Sequence, residues 1–138
     1  MTEKVSKPLK VGVYIPGDLA ERLLKIMEDT GLSSISKLVQ EAIRLFIAEH
    51  SWKIGGEVVG VVGVLYDHEV DRVDDKLTDI QHKFLSTIIS AVHIHLDERL
   101  CLLVIAVRGP SNIVKELVSN IEGVKGVKLV RSMLLPKQ

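Results

Sequence analysis

The chain has 138 residues, enough for one ordinary domain or two small ones, and its 46% hydrophobic content can bury a real core, which excludes wholesale disorder. No apolar run approaches the roughly 20 residues that cross a bilayer, and MTEKVSKPLK at the N-terminus has lysines without an apolar stretch behind them, so neither a membrane contact nor a secretory signal is expected. Lysine plus arginine equals aspartate plus glutamate, 18 each, so any nucleic-acid contact must come from local placement of charge. Cys101 is the single cysteine, so no internal disulfide can form; the thiol is free and a reducing cytoplasm is the expected setting.

The first ten residues hold Lys4, Lys7 and Lys10 against one acid, Glu3, and read as a mobile basic arm. Residues 10–15 alternate, with Val11, Val13 and Ile15 on one face, which predicts a short half-buried strand stopped by Pro16-Gly17. Asp18 can cap a helix running to about Thr30, with Leu19, Leu23, Leu24 and Met27 as its apolar stripe and Gly31 at its end. Ser34 or Ser36 can cap a second helix with Leu38, Val39, Ala42, Ile43, Phe46 and Ile47 as its stripe. One such strand has no sheet to join, so this strand–helix–helix unit of fifty residues is expected to be an obligate dimer with paired strands.

His50 to Gly56 breaks the pattern, and its two glycines mark residues 51–56 as a linker. Beyond it the periodicity predicts a strand from Glu57 to about Tyr66, a helix from about Asp71 to Ser90, strands at 91–97 and 100–108, a helix opened by Pro110-Ser111 and ended by Gly123, and a strand at 126–134. The fold class is therefore α+β. A βαα unit over 1–50 precedes a ferredoxin-like, ACT-type βαββαβ domain over 57–138.

Asp97-Glu98-Arg99 makes a natural hairpin loop, which sets His95 opposite Cys101 and puts His93 on the same face two residues earlier. Facing residues have Cα atoms about 4.5–5.5 Å apart, within reach of one metal ion. Val92, Ile94, Leu96, Leu102 and Val104 form the other face and are expected to be the domain's own core. Leu103 and Ile105 flank the ligands and are apolar, so the ligand face is expected to be covered by another subunit. On the helix, His82 lies about 140° from the stripe of Leu77, Ile80, Phe84 and Ile88. It is therefore placed to complete a neighbour's site. Imidazoles and a thiolate suit Zn(II), Ni(II), Cu(II) or Co(II) and exclude Mg and Ca. Binding needs deprotonated donors, so affinity should fall with pH. His50 and His68 match no such geometry and read as surface or supporting residues. A Cys101 nucleophile with a histidine base is the chemical rival, but nothing nearby resembles an oxyanion hole, so no enzyme is expected.

Gln81-His82, eleven residues to His93, His-Ile-His, then six residues from His95 to Cys101 resembles the metal-site signature of the nickel-responsive transcriptional regulators, the NikR family. The resemblance extends over nearly the whole chain, including Gly31, Ser36, Tyr66-Asp67-His68-Glu69 and Val124 to Val127. It implies one Ni(II) per subunit, held in a plane by His93, His95 and Cys101 of one subunit and His82 of another. It implies a homotetramer, a dimer of dimers, with ribbon-helix-helix ends on a double-stranded DNA operator. The ribbon's DNA-facing residues would be Lys10, Gly12 and Tyr14, and Ser36 could hold a phosphate. Three positions depart from the family pattern: Gly12 has no side chain to read a base, Ile35-Ser36-Lys37 replaces Arg-Ser-Glu, and Leu103 replaces an acidic residue.

The expected function is thus a nickel-dependent repressor of nickel uptake that binds a palindromic operator when loaded. Two alternatives stay open at this point. One is a regulator sensing zinc, copper or cobalt; the other is a metal-buffering oligomer without DNA binding.

Overall fold

A computed structural model describes residues 6–137; Lys4 and the rest of the expected arm over 1–5 lie outside the described residues. Helix α1 spans Gly17–Thr30 and α2 spans Ile35–Ser51, followed by a single 3-10 turn over Trp52–Ile54. Then come β1 (Glu57–Asp67), α3 (Val73–Lys83), β2 (Ile88–His95), β3 (Leu100–Pro110), α4 (Ser111–Glu122) and β4 (Val127–Pro136). Two compact units divide between Glu41 and Ala42, inside α2.

In the N-terminal unit, residues 10–15 form no strand, and Val11, Val13 and Tyr14 are exposed. The physical reason is the one the sequence raises: a lone strand needs a partner for its backbone groups, and the described residues offer none. Helix α1 starts two residues earlier than expected. Pro16 occupies the cap position and Asp18 sits in the first turn, where its charge complements the helix dipole instead of capping. The end is as the sequence reads: Gly31 adopts φ 71° and donates to Glu28, while Leu32 N donates to Met27 O at 2.9 Å. Ser34, not Ser36, caps α2, its Oγ accepting from Lys37 N at 3.2 Å. Met27 is the one buried residue of α1, α2 has none, and Leu19, Leu24, Ile43, Phe46 and Ile47 all stand exposed.

The C-terminal unit is α+β. Its sheet is four-stranded and antiparallel in the order β2-β3-β1-β4, within a β-α-β-β-α-β chain order. Helices α3 and α4 supply Val73, Leu77, Ile80, Val114, Leu117 and Ile121 to one core with Val58, Val62, Val64, Leu103, Ile105 and Val107. Burying such side chains stabilises by about 1.5–3 kcal/mol each. Trp52 also enters this core at 4% exposure, so the segment after α2 is anchored where the sequence reads a linker. The Arg131–Glu49 pair at 2.9 Å and a Lys115 hydrogen bond to the Lys53 carbonyl tie the same segment down.

Two expectations need correction. The helix expected to reach Ser90 ends at Lys83, and Ile88 belongs to β2. Arg108 N donates to Thr87 O at 2.9 Å, so pairing with β3 captures this β-branched stretch before the helix can continue. The second correction concerns the sheet faces. Cys101, Leu103, Ile105 and Val107 lie beneath the helices at 0–1% exposure, whereas Val92, Ile94 and Leu96 are 54%, 41% and 53% exposed. The ligand face is thus the domain's own core face, and the apolar face assigned to the core is the open one. Both faces carry apolar residues, so alternation alone cannot rank them.

Gly60 lets β1 and β4 approach closely: a Cβ there would sit 2.0 Å from the Met133 carbonyl oxygen, whereas at Gly63 the nearest atom would be 3.6 Å away. Gly60→Ala should therefore destabilise the protein by about 1–3 kcal/mol or more, and Gly63→Ala by much less, read as urea midpoints at one protein concentration. Equal midpoints would contradict this packing. Acid should weaken the β2–β3 turn region. Backbone N–H groups of Leu100 and Arg99 hold the Asp97 carboxyl below its ordinary pKa, and the Arg99 guanidinium does so for Asp67. Their stabilisation is fully present above about pH 4 and is lost as pH falls through the lowered values. Asp67→Asn and Asp97→Asn should each flatten the acid limb of a pH–stability curve.

Candidate metal centre

The β2–β3 hairpin builds the site. Leu96 N donates to Leu100 O at 2.9 Å, and Asp97 Oδ1 accepts from Arg99 N at 2.8 Å and Leu100 N at 2.7 Å. This pinned turn sets His95 across from Cys101 and His93 across from Leu103. Cys101 Sγ lies 3.2 Å from His95 Nδ1. Two donors about 2.0–2.3 Å from one ion sit roughly 3–3.5 Å apart, so this pair already has the spacing of shared ligands. Cys101 is 1% exposed, while His93 and His95 stand exposed on β2, an edge strand. A soft thiolate beside borderline imidazoles fits a late first-row divalent ion and not a hard one.

His82 lies in the last turn of α3 and is exposed, away from the buried Leu77 and Ile80, as helical phase requires. Among the described residues, no three His, Cys, Asp or Glu side chains of this single chain converge on one point that could hold a metal ion. The structure thus joins His95 to Cys101, puts His93 on their face, and leaves His82 apart.

Three neighbours add to this set. Tyr66 on β1 pairs with Cys101 from the other side; its hydroxyl donates to Asp74 Oδ1 at 2.8 Å and lies 3.2 Å from His93 Nδ1. Burial, then the Asp74 hydrogen bond and the nearby negative charge, push this phenol well above the ordinary tyrosine range. Neither Tyr66 nor Asp74 was marked by spacing, because their link to His93 depends on β1 lying beside β3. His68 bonds the Glu98 carbonyl and stands edge-on to the His95 ring at 6.3 Å between centroids, so it borders the site. Arg99 bridges Asp67 at 2.6 Å and Glu69 at 3.3 Å, fastening the end of β1 to the hairpin loop. His50 is accounted for elsewhere: it stacks on Phe46 and its Nδ1 lies 2.8 Å from the Phe46 carbonyl oxygen.

The residues read as DNA contacts lie in the N-terminal unit. Lys10, Gly12 and Tyr14 are exposed in the segment before α1, with Tyr14 at 88%. Ser36 is exposed in the first turn of α2 and its Oγ accepts from Gln40 Nε2 at 3.4 Å.

Comparison with known proteins bears on this set of donors. Residues 59–135 match the family described as the NikR C terminal nickel binding domain. A protein of Dictyoglomus turgidum is 39% identical over 125 residues, covering 90% of this chain and 93% of its own. A Methanocella arvoryzae protein is 38% identical over 125 residues, 89% of each chain, and one from Thermococcus kodakarensis is 37% identical over 123 residues, 88% and 89%. All three are provisionally named as nickel-responsive regulators. With the family domain matching more than half of its length, and relatives of this identity spanning most of it, this chain belongs to the family of nickel-responsive regulators.

Proposed function

We propose that the chain is a nickel-dependent transcriptional regulator that binds a palindromic DNA operator when loaded and represses nickel uptake in the cytoplasm. The observation that carries this reading is the Cys101–His95 pair at 3.2 Å, with His93 on the same face, inside a nickel-binding family domain. His93, His95 and Cys101 of one subunit and His82 of a partner subunit hold one Ni(II) per subunit. When bound, the ion supplies a Lewis-acidic cross-link between the two chains. His82 supports the shared site because it stands exposed on α3, and among the described residues no three donors of a single chain converge without a further one from outside.

The assembly is a homotetramer, a dimer of dimers. The open sheet face presents Val92, Ile94, Leu96, Leu129, Met133 and Leu135, each at least 41% exposed. A second copy of the same face is the complementary occupant, since a patch this apolar is rarely left to water. Residues 1–50 act as a ribbon-helix-helix dimer. Pairing two copies of residues 10–15 satisfies their backbone groups, and the exposed stripes of α1 and α2 cover one another. Lys10, Gly12 and Tyr14 then face the major groove, and Ser36 at the start of α2 meets a phosphate. Residues 51–56 connect this unit to the metal-binding domain over 57–138. Metal and operator are coupled as far as the loaded arrangement of the subunits is the one that fits both half-sites.

Mobility-shift assays at fixed salt, with and without one Ni(II) equivalent per subunit, test the reading. Operator affinity should rise about 5- to 150-fold with metal, and Cys101→Ser should abolish the rise. Affinity indifferent to metal would sink the sensor. Titration followed by absorption identifies the ion, because a Ni–thiolate gives charge-transfer bands that zinc cannot. Lys10→Ala should weaken DNA binding and leave Ni(II) binding unchanged; a metal buffer would have no operator affinity to lose. Ile94→Asp should lower the mass in light scattering while the far-UV spectrum stays native. An unchanged mass would remove the sheet face from the assembly.

A further inference from the structure

The Tyr66 hydroxyl has one proton to give and three neighbours, the Asp74 carboxylate, His93 Nδ1 and the Cys101 sulfur. Asp74 Oδ1 is 2.8 Å away and His93 Nδ1 is 3.2 Å away. A carboxylate only accepts, so the phenol proton belongs to Asp74. The Tyr66 oxygen then has lone pairs left for His93, and the contact at Nδ1 is satisfied when Nδ1 carries the ring proton. In that tautomer Nε2 is unprotonated and its lone pair is free. No competing partner sits across the hairpin: the residue paired with His93 is Leu103, which is fully buried and has no polar side-chain atom.

We infer that Tyr66 and Asp74 are positioning residues that hold His93 in its Nδ1–H tautomer, presenting Nε2 to the metal. This rests on the reading of His93 as a ligand. Tyr66 is anchored for the task. It is 1% exposed, fixed in the middle of the sheet by its pairing with Cys101, and Asp74 lies in the first turn of α3, whose next turns are buried through Leu77 and Ile80. The acceptor comes from a helix, the relay from the central strand and the ligand from the edge strand. A shift of α3 along the sheet would therefore be felt at His93. Hydrogen bonding that fixes a ligand's tautomer commonly changes metal affinity by about 10- to 100-fold.

The decisive measurement is the tautomer itself, from nitrogen chemical shifts of the histidine rings in the metal-free, full-length protein. His93 should be in the Nδ1–H form in the native sequence. Tyr66→Phe, which keeps the ring and removes the hydroxyl, should release that preference. Asp74→Ala should do so differently: it frees the phenol proton to turn towards Nδ1 and drives His93 to the Nε2–H form. Both variants should lose about 10- to 100-fold in Ni(II) affinity. A His93 already in the Nε2–H form in the native sequence, or a tautomer unmoved by both variants, overturns the proposal and leaves the metal-site reading standing. His93→Ala with undiminished Ni(II) affinity overturns the ligand reading and this proposal with it. Far-UV and thermal melts of both variants separate these outcomes from simple misfolding.

Discussion

Everything at the candidate metal centre hangs on the register of one hairpin. A strand's side chains alternate with a period of two, so a slip of one residue between β2 and β3 would send His93 and His95 to the face away from Cys101. The Asp97 carboxylate guards against that slip by accepting from two successive backbone N–H groups across a three-residue loop, and the Arg99 contacts to Asp67 and Glu69 fasten the same loop to β1. The geometry of the candidate site is thus set by a turn that supplies none of its candidate ligands.

The sheet has to serve two masters. One face is sealed by α3 and α4 and contains the thiol; the other is almost equally apolar and is covered by neither of these helices. Burying Cys101 beside Tyr66 keeps water away from the sulfur. The imidazoles lie at the rim of that core, and the helix that seals it carries Asp74 at one end and His82 at the other. Core residues, Asp74 and the outward His82 therefore share one helix.

The sequence made legible what local chemistry decides. The hairpin pairing of His95 with Cys101 followed from the loop, Gly31 ended α1, and the phase of α3 put His82 outside. What it hid was decided at long range. Residues 10–15 alternate like a strand, yet no strand pairs with them among the described residues. Leu102 to Val107 is an apolar run, so which alternate set faces the helices depends on where the chain crosses, not on the run itself. Trp52 looked like part of a linker because its burial depends on α4 and β4, some sixty residues and more away. Asp74 and the link of Tyr66 to His93 escaped for the same reason: Tyr66, which bonds Asp74, meets His93 only through the sheet order.

The edge position of β2 also bears on how such a site can change over generations. His93 and His95 project from the strand that closes the sheet, and His82 from an exposed helical turn, so exchanging any of them disturbs little packing. Cys101 has no such freedom, because it is wedged among Tyr66, Leu103 and the helices at 1% exposure. Drift in metal preference would thus run through the imidazole positions, where trial substitutions are survivable, around a sulfur that the fold itself holds constant.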